Sequence, residues 1–292
     1  MPGAAVSAIT VNYNAGSLLR GLVESLLAEP GIARVVVVDN ASRDASLDFP
    51  TLSDPRVTLI CNRENLGFGA ACNQGAAVAE SEYLLFINPD CRLPAGALKR
   101  LTALLDVRHD AAMLGPLVLN VDGSEQRGCR RHLPDPRSAL MRVLKLDQPD
   151  AAGRVAGFDL TGTALPPGPE PVEAISGACM IVRHQVFKEL GGWDEGYFLH
   201  CEDLDLCMRL KRAGKSVLFV PDVSVTHVQG VSSRGRPLFV LWHKHRGMWR
   251  YYGKFQRSSS PAWLTVLVAL GIATRFLMLA PGAMLSRLNS GT

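Results

Sequence analysis

The side chains best placed to do chemistry are Asp90, the adjacent acids Glu202 and Asp203, and His227. Asp90 follows the run Tyr83-Leu84-Leu85-Phe86-Ile87, which reads as a strand covered on both faces and which Pro89 brings to an end. That leaves the carboxylate at a strand end, the side of an open α/β sheet on which ligands sit, where it can hold a divalent cation against a diphosphate. The structural alternative is a helix cap, since a helix starts near Pro94-Ala95. Glu202 and Asp203 open another helix, because Leu206, Leu210 and Ala213 recur at helical spacing and Gly214 supplies a stop. Acids there complement the helix dipole, and Asp205 with Arg209 reads as an ordinary i,i+4 pair. The stretch before them, Tyr197-Phe198-Leu199-His200-Cys201, is aromatic and nearly uncharged, so it also predicts a carboxylate held at a cavity edge, which is how such a group becomes a competent base. His227 is a lone imidazole beyond the strand Ser216–Val220, a type of residue that is more often structural than ligating.

These residues need a scaffold, and the first forty residues predict one. Val6–Val11 is a strand, Leu18–Ala28 a helix stopped near Pro30-Gly31, and Val35–Val38 a second buried strand: a βαβ unit, hence a parallel sheet with Asp39 on its ligand edge. Asp39 reads equally as an Asx-turn residue. A third strand, Val57–Cys61, leads into Asn62-Arg63-Glu64-Asn65-Leu66-Gly67-Phe68-Gly69, where small residues let backbone amides approach a ligand at a helix start. The glycines follow the third strand and lack the third member of a dinucleotide fingerprint, and no Gly-Lys-Ser/Thr marks a phosphate loop. Asn65 and Asn73 also read as plain helix caps. Beyond a strand at Ala112–Leu119 and a hairpin turn at Asp122-Gly123, the chain from Cys129 to Pro171 is rich in proline, glycine and mixed charge, a loop region over the cleft. Its Arg130, Arg131 and His132 read as solvated, within reach of an anionic ligand. Val172–Val182 reads as one strand whose small centre predicts something packed closely on Gly177, and Gly191–Glu195 as a turn carrying Trp193.

With 292 residues and a net charge of +4, the chain has room for a substantial core, and its total charge names no partner. Seven cysteines without metal-ligand spacing, and no secretory leader ahead of Val6, point to reduced thiols in the cytosol. Basic residues crowd toward the end. Phe239–Phe255 interleaves Trp242, Trp249, Tyr251 and Tyr252 with Lys244, Arg246, Arg250 and Lys254, as an interfacial helix on an anionic membrane leaflet would. Nucleic acid is set aside, because nothing upstream reads bases. Ala262–Thr274 is apolar, Arg275 interrupts it, and Phe276–Ala280 resumes. Against the roughly twenty residues a crossing needs, the segment reads as short, lying in the membrane surface or packed as a helix pair.

The ordered set Asp39-Asn40-Ala41-Ser42, Asn65-Leu66-Gly67-Phe68-Gly69 with Asn73, Asn88-Pro89-Asp90, Trp193-Asp194-Glu195 and Glu202-Asp203-Leu204-Asp205-Leu206-Cys207-x-Arg209 resembles the family 2 glycosyltransferases, and within them the bacterial rhamnosyltransferase branch, from about Val6 to His227. The resemblance implies a GT-A fold, that is, an α/β Rossmann-like mixed, mainly parallel sheet with flanking helices. A catalytic domain would span 1–235, with a nucleotide half to about 125 and an acceptor half beyond, followed by a helical tail at 236–292. It implies a nucleotide-diphosphosugar donor, dTDP-rhamnose or a UDP-sugar, and inversion at the anomeric carbon. By position, Asp39 would accept the imide N–H of the base, with Arg63, Asn65, Gly67, Asn73 and Asn88 around the nucleotide sugar. Asp90 matches the last acid of the metal-binding DxD motif, whose first acid is Asn88 here, and His227 matches a second metal ligand. Asp203 matches the general base, with Glu202 beside it, and Trp193 the acceptor wall. The cofactor implied is Mn2+ or Mg2+; a carboxylate with an imidazole leans toward manganese. The acceptor implied is a glycan or polyprenyl-diphosphate-linked hydroxyl in cell-surface polysaccharide synthesis, at the inner face of the plasma membrane. A non-catalytic nucleotide-sugar-binding module of the same fold is the alternative. A nucleotidyltransferase would need a basic glycine-rich loop after the first strand, and Asn12-Tyr13-Asn14-Ala15-Gly16 is not one.

Overall fold

Uninterrupted apolar runs give strands buried on both faces, and these form the centre of the molecule. In the computed structural model, which describes residues 5–136, 158–228 and 236–289, the elements in order are β1 (Val6–Asn12), α1 (Ser17–Leu27), β2 (Ile32–Asp39), β3 (Val57–Cys61), α2 (Phe68–Ala77), β4 (Tyr83–Ile87), β5 (Cys91–Arg92), α3 (Ala97–Val107), β6 (Ala111–Leu119), β7 (Arg130–Arg131), β8 (Glu170–Val172), β9 (Ala174–Ile175), β10 (Cys179–Arg183), α4 (His184–Glu189), α5 (Glu202–Arg212), β11 (Ser216–His227), α6 (Pro237–Phe255) and α7 (Ala262–Asn289). The main sheet runs β3-β2-β1-β4-β10-β6-β11-β5, with β8 also on β11. β1 to β4 are mutually parallel, β10 lies antiparallel between β4 and β6, and β6 is parallel to β11.

This order brings distant residues to one edge. Asn12 pairs with Asp39, and Asp39 with Cys61, at the carboxyl ends of β1, β2 and β3. Because β10 runs the other way, its first residue, Cys179, pairs with Ile87 at the end of β4. β11 ends beside β5, with His227 paired to Cys91. One face of the sheet is covered by α1 and α3, whose Leu19, Leu22, Val23 and Leu26, and Leu98, Leu101 and Leu105, form apolar stripes at helical spacing. The other face is covered by α2 and α5 together with Phe187, Trp193, Tyr197, Tyr251 and Phe255.

Three expectations change. The single strand expected over Val172–Val182 is three pieces: β8 joins the main sheet on β11, β9 forms a separate two-stranded sheet with β7, and β10 enters the main sheet between β4 and β6. β9 lies so near the sheet that a Cβ at Gly115 would be 2.6 Å from Ile175 Cδ1. The strand expected to stop at Val220 runs on through Pro221 to His227, because the proline falls in a register shift between Val220 and Ser224, where its missing N–H costs no ladder bond. The terminal apolar segment is not short: α7 continues through Arg275 and Pro281, and its stretch Ala262–Leu285, 24 residues, is long and apolar enough to cross a membrane. The turn at Asp122-Gly123 forms as expected, with Gly123 N–H donated to Asn120 O at 3.0 Å. All seven cysteines are free.

Helix α2 lies on β1 and β2 at Gly75, where an added Cβ would be 2.6 Å from Ile9 Cγ2. Gly75→Val should therefore destabilise the fold by about 1–3 kcal/mol, read as a lower urea midpoint at unchanged slope; an unmoved midpoint would show that the helix is not seated this closely.

Candidate active site

Asp39 is buried at the end of β2, where one carboxylate oxygen accepts Asn12 Nδ2–H at 2.7 Å and the other the backbone N–H of Ser42 at 3.0 Å. The Asx-type turn anticipated there is present, and it orients the carboxylate at the sheet edge. Asn65 folds its own loop, its Oδ1 accepting the N–H of Gly67 at 2.9 Å. Gly67 has φ +89°, and a Cβ there would be 2.6 Å from Phe198 O, so only glycine lets this loop meet the 198 region. Arg63 is exposed at the mouth of the same loop.

At the Asn88-Pro89-Asp90 corner, Asp90 Oδ1 lies 3.0 Å from His227 Nε2. His227 Nδ1 faces Gln126 Oε1 at 2.7 Å, and the Gln126 amide is oriented by donating Nε2–H to Asn120 Oδ1 at 3.0 Å. Nδ1–H is donated to Gln126, and Nε2 is left facing Asp90. Asn88 Nδ2, 3.3 Å from Nε2, donates to the same atom. A carboxylate oxygen and an imidazole nitrogen facing each other at this distance share a proton or a cation, and this donor set suits a divalent metal whose remaining positions go to water and substrate oxygens. Cys91 Sγ is also near, within a group whose ligand atoms lie within 4.8 Å of one another. It donates to Ala178 O at 3.4 Å, and burial together with the neighbouring Cys179 and Asp90 pushes the thiol well above its usual range, so it stays protonated.

Asp203 begins α5 next to β10. Its Oδ2 forms a close ion pair with Arg131 Nη2 and accepts Gly177 N–H at 3.3 Å, while Oδ1 accepts Leu204 N–H at 2.8 Å. A Cβ at Gly177 would meet Asp203 Cβ at 3.3 Å, so the close packing expected on Gly177 is the acid itself. The carbonyl of the next residue, Ala178, accepts the N–H of Asn88 at 2.9 Å. The Glu-Asp pair and the Asn-Pro-Asp corner thus meet across two consecutive residues, 177 and 178. Burial pushes the Asp203 carboxyl up, but the Arg131 guanidinium, the Leu204 N–H and His200 together outweigh it and the net shift is downward: Asp203 is ionised. Burial, then the Asp203 charge, raises Glu202 to about 8, and its Oε2 has no hydrogen-bond partner. The same environment therefore leaves one acid charged and its neighbour protonated at neutral pH.

Several expected roles change. Arg131 is not solvated: its Nη2 also holds Ile175 O at 2.9 Å. Arg130 is buried on Glu125 at 2.8 Å, and His132 contacts Glu173 at 3.1 Å. Trp193 is 2% exposed and stacks edge-on against Phe68, Phe86 and Phe187, so it is core and forms no acceptor wall. Asn73 spends its amide on the Trp193 backbone, at 2.9 Å to its N and 3.0 Å to its O, and so clamps that turn instead of facing a nucleotide. Glu202 is raised to about 8 by burial and the Asp203 charge, so it is mostly protonated at neutral pH. Asp205 and Arg209 do pair, at 2.5 Å, but Asp205 is fully buried. Sequence reading misses Gln126 and the function of Arg131. Their partners lie 101 and 72 positions away, and no local pattern marks either.

Residues 7–161 match the model of Glycosyl transferase family 2, and residues 159–288 that of Glycosyl transferase family group 2. Over 265 residues the chain is 29% identical to the N-acetylglucosaminyl-diphospho-decaprenol L-rhamnosyltransferase of Mycobacterium tuberculosis, covering 83% of this chain and 85% of that protein. A stretch of 56 residues, 19% of this chain and 21% of the relative, is 43% identical to the rhamnosyltransferase WbbL of Escherichia coli K12. Among solved structures, the mannosyltransferase PcManGT from Pyrobaculum calidifontis in complex with GDP-Man and Mn2+ aligns with a TM-score of 0.58 at 15% identity, covering 97% of this chain and 74% of that one. GalNAc-T7 with UDP, GalNAc and Mn2+ aligns with a TM-score of 0.58 at 18% identity, over 77% and 44% of the two chains. The fold is GT-A, with an apolar helix at its C-terminal end.

The state of Glu202 gives a stability test. Its folded value, about 8, lies above the ordinary carboxyl value, so the folded state binds more protons than the unfolded state between them. Stability from this group is complete below the ordinary value and is lost as pH rises through about 8. Glu202→Gln should flatten this decline, gaining on the parent protein at pH 7–8 in urea melts; parallel pH curves would place the Glu202 carboxyl in solvent.

Proposed function

Because the chain belongs to glycosyl transferase family 2, we propose that it moves L-rhamnose, with inversion, from a dTDP- or UDP-linked donor to a hydroxyl of a sugar carried on a polyprenyl diphosphate. The observation that carries this reading is the junction at Gly177-Ala178, which sets an ionised carboxylate next to a carboxylate-imidazole pair. The rhamnosyltransferase relatives support the sugar, and the decaprenol-linked acceptor of the mycobacterial one supports the carrier.

Asp90 and His227 would hold a divalent cation, manganese or magnesium, which when bound offsets the charge developing on the leaving diphosphate. Asp203 takes the proton from the acceptor hydroxyl as its oxygen attacks the anomeric carbon on the face opposite the diphosphate, and this direct displacement inverts the centre. Arg131 keeps the base ionised, and with Gly177 N–H it fixes one oxygen so that the remaining lone pairs are presented in a set direction. Asn12 and Ser42 orient Asp39 toward the imide of a uracil or thymine ring. The exposed Trp242, Trp249 and Trp263, with Lys244 and Arg246, would seat α6 at the cytoplasmic face of an anionic membrane into which α7 extends.

Asp203→Asn should lower kcat by about 100- to 10,000-fold while nucleotide affinity, by calorimetry, stays close to that of the parent protein; equal losses in both would remove Asp203 from the role of base. In thermal-shift assays, Mn2+ should add to the stabilisation given by dTDP or UDP, and His227→Ala should abolish the metal-dependent increment. An increment that survives this substitution would place the cation elsewhere.

A further inference from the structure

The Asn88-Pro89-Asp90 corner carries a third donor, which Mg2+ and Mn2+, as oxygen-seeking cations, leave unused. Cys91 opens β5 and pairs in register with His227 at the end of β11, in an antiparallel ladder. Directly opposed residues of such a pair project from the same face of the sheet, with β-carbons about 4.5–5.5 Å apart, so the backbone itself sets the thiol beside the imidazole. Asp90 comes to the same place from the turn before β5, where its carbonyl accepts Val228 N–H at 3.0 Å and its carboxylate meets His227 Nε2. A carboxylate oxygen, an imidazole nitrogen and a sulfur thus lie within 4.8 Å of one another, and all three residues are buried.

This set of donors favours a thiophilic cation. Mg2+ and Mn2+ take oxygen in preference to sulfur, whereas Zn2+ accepts carboxylate, imidazole and thiolate together. In a tetrahedral zinc centre the donor atoms lie about 3.5 Å apart, so a sulfur within 4.8 Å has about 1.3 Å at most to travel. Little holds it back: Cys91 Sγ donates to Ala178 O at 3.4 Å, a weak bond for a thiol, and it turns about a single side-chain torsion. The imidazole is already braced as zinc ligands are, its Nδ1 held by Gln126 Oε1 at 2.7 Å.

We propose that Asp90, Cys91 and His227 form a three-donor site for Zn2+, and that Zn2+ held there stops the reaction that Mn2+ or Mg2+ supports. As the metal–sulfur bond forms, the S–H bond breaks and its proton goes to solvent, the dication supplying the positive charge that favours the thiolate. Coordination number gives the block. A diphosphate bridged to a cation through two oxygens needs two open positions. Mn2+ or Mg2+, octahedral on Asp90 and His227, keeps several; Zn2+, almost always four-coordinate, keeps one once Cys91 is added. Blocking rests on the glycosyltransferase reading above; binding does not.

The test uses the full-length protein in detergent micelles, freed of metal with EDTA, carrying Cys61→Ser to remove the exposed cysteine, and titrated with Co2+ as a coloured substitute for Zn2+. A near-ultraviolet sulfur-to-cobalt charge-transfer band should appear, vanish on addition of stoichiometric Zn2+, and be lost in Cys91→Ala and in Cys91→Ser. Zn2+ affinity should fall about 100-fold in both variants, while Mn2+ affinity with dTDP present changes by less than about threefold. No band in the parent protein, a band that survives both substitutions, or equal losses for Zn2+ and Mn2+ would overturn the site. In transfer assays with Mn2+, the Zn2+ concentration that halves the rate should rise about 100-fold in Cys91→Ala; unchanged inhibition would overturn the block. If no donor is turned over but the band forms and depends on Cys91, the zinc site stands and the glycosyltransferase reading falls.

Discussion

The arrangement depends on the close approach of Asp203 to the backbone at Gly177. A β-carbon at position 177 would meet that of the acid at 3.3 Å, closer than side chains normally pack. Because position 177 is glycine, its N–H reaches Asp203, and because the next residue, Ala178, leads directly into the antiparallel strand β10 between β4 and β6, its carbonyl reaches Asn88. Asp203 and the Asn88-Pro89-Asp90 corner, far apart in the chain, are thereby brought to either side of one peptide unit. Had β10 run parallel to its neighbours, residues 177 and 178 would lie at the opposite edge of the sheet.

Position alone would not assign roles, since Glu202 and Asp203 are adjacent and both largely enclosed. The division comes from one guanidinium. Arg131 pairs with Asp203 and not with Glu202, so the lower-lying acid stays charged, and its charge adds to burial in keeping the other protonated. An ion pair this enclosed is costly to desolvate and does little for stability in itself; its effect here is on protonation. Gln126 does comparable work for His227, fixing which ring nitrogen is free.

What is legible in the sequence follows from how local each signal is. Buried strands, helix stripes and the Asp122-Gly123 turn are written in neighbouring residues, and the fold class follows from them. Gly177 is legible as a close-contact point because a glycine inside a strand pattern usually marks a place where another group approaches the backbone. Its partner is not. Arg131 reads as solvated because a charged residue in a proline- and glycine-rich region usually is, and only the pairing of β7 with β9 turns it inward. Trp193 and Asn73 match family positions, but their surroundings settle the matter: three aromatic rings enclose the tryptophan, and the asparagine holds its backbone. Arg275 reads as a break in the apolar run because hydropathy takes no account of a partner; with His245 beside it, the helix continues.

Helix α6 links the apolar helix α7 to the start of α5, which carries Asp203. A Cβ at Gly247 would be 2.8 Å from His200 O, so the helix presses on the two residues, His200 and Cys201, that enter α5 with left-handed φ values of 68° and 72°. Non-glycine residues hold such angles only where the surroundings enforce them. Enforcement comes from both sides. Lys254 bridges Asp194 at 2.6 Å and the fully buried Asp205 at 2.7 Å, and Arg250 holds Asp194 at 2.7 Å. Each acid has a second partner: Asp205 also pairs with Arg209, and Asp194 is shared by Lys254 and Arg250. The helix that carries the aromatic and basic face is thus locked to the first turn of the helix that carries Asp203.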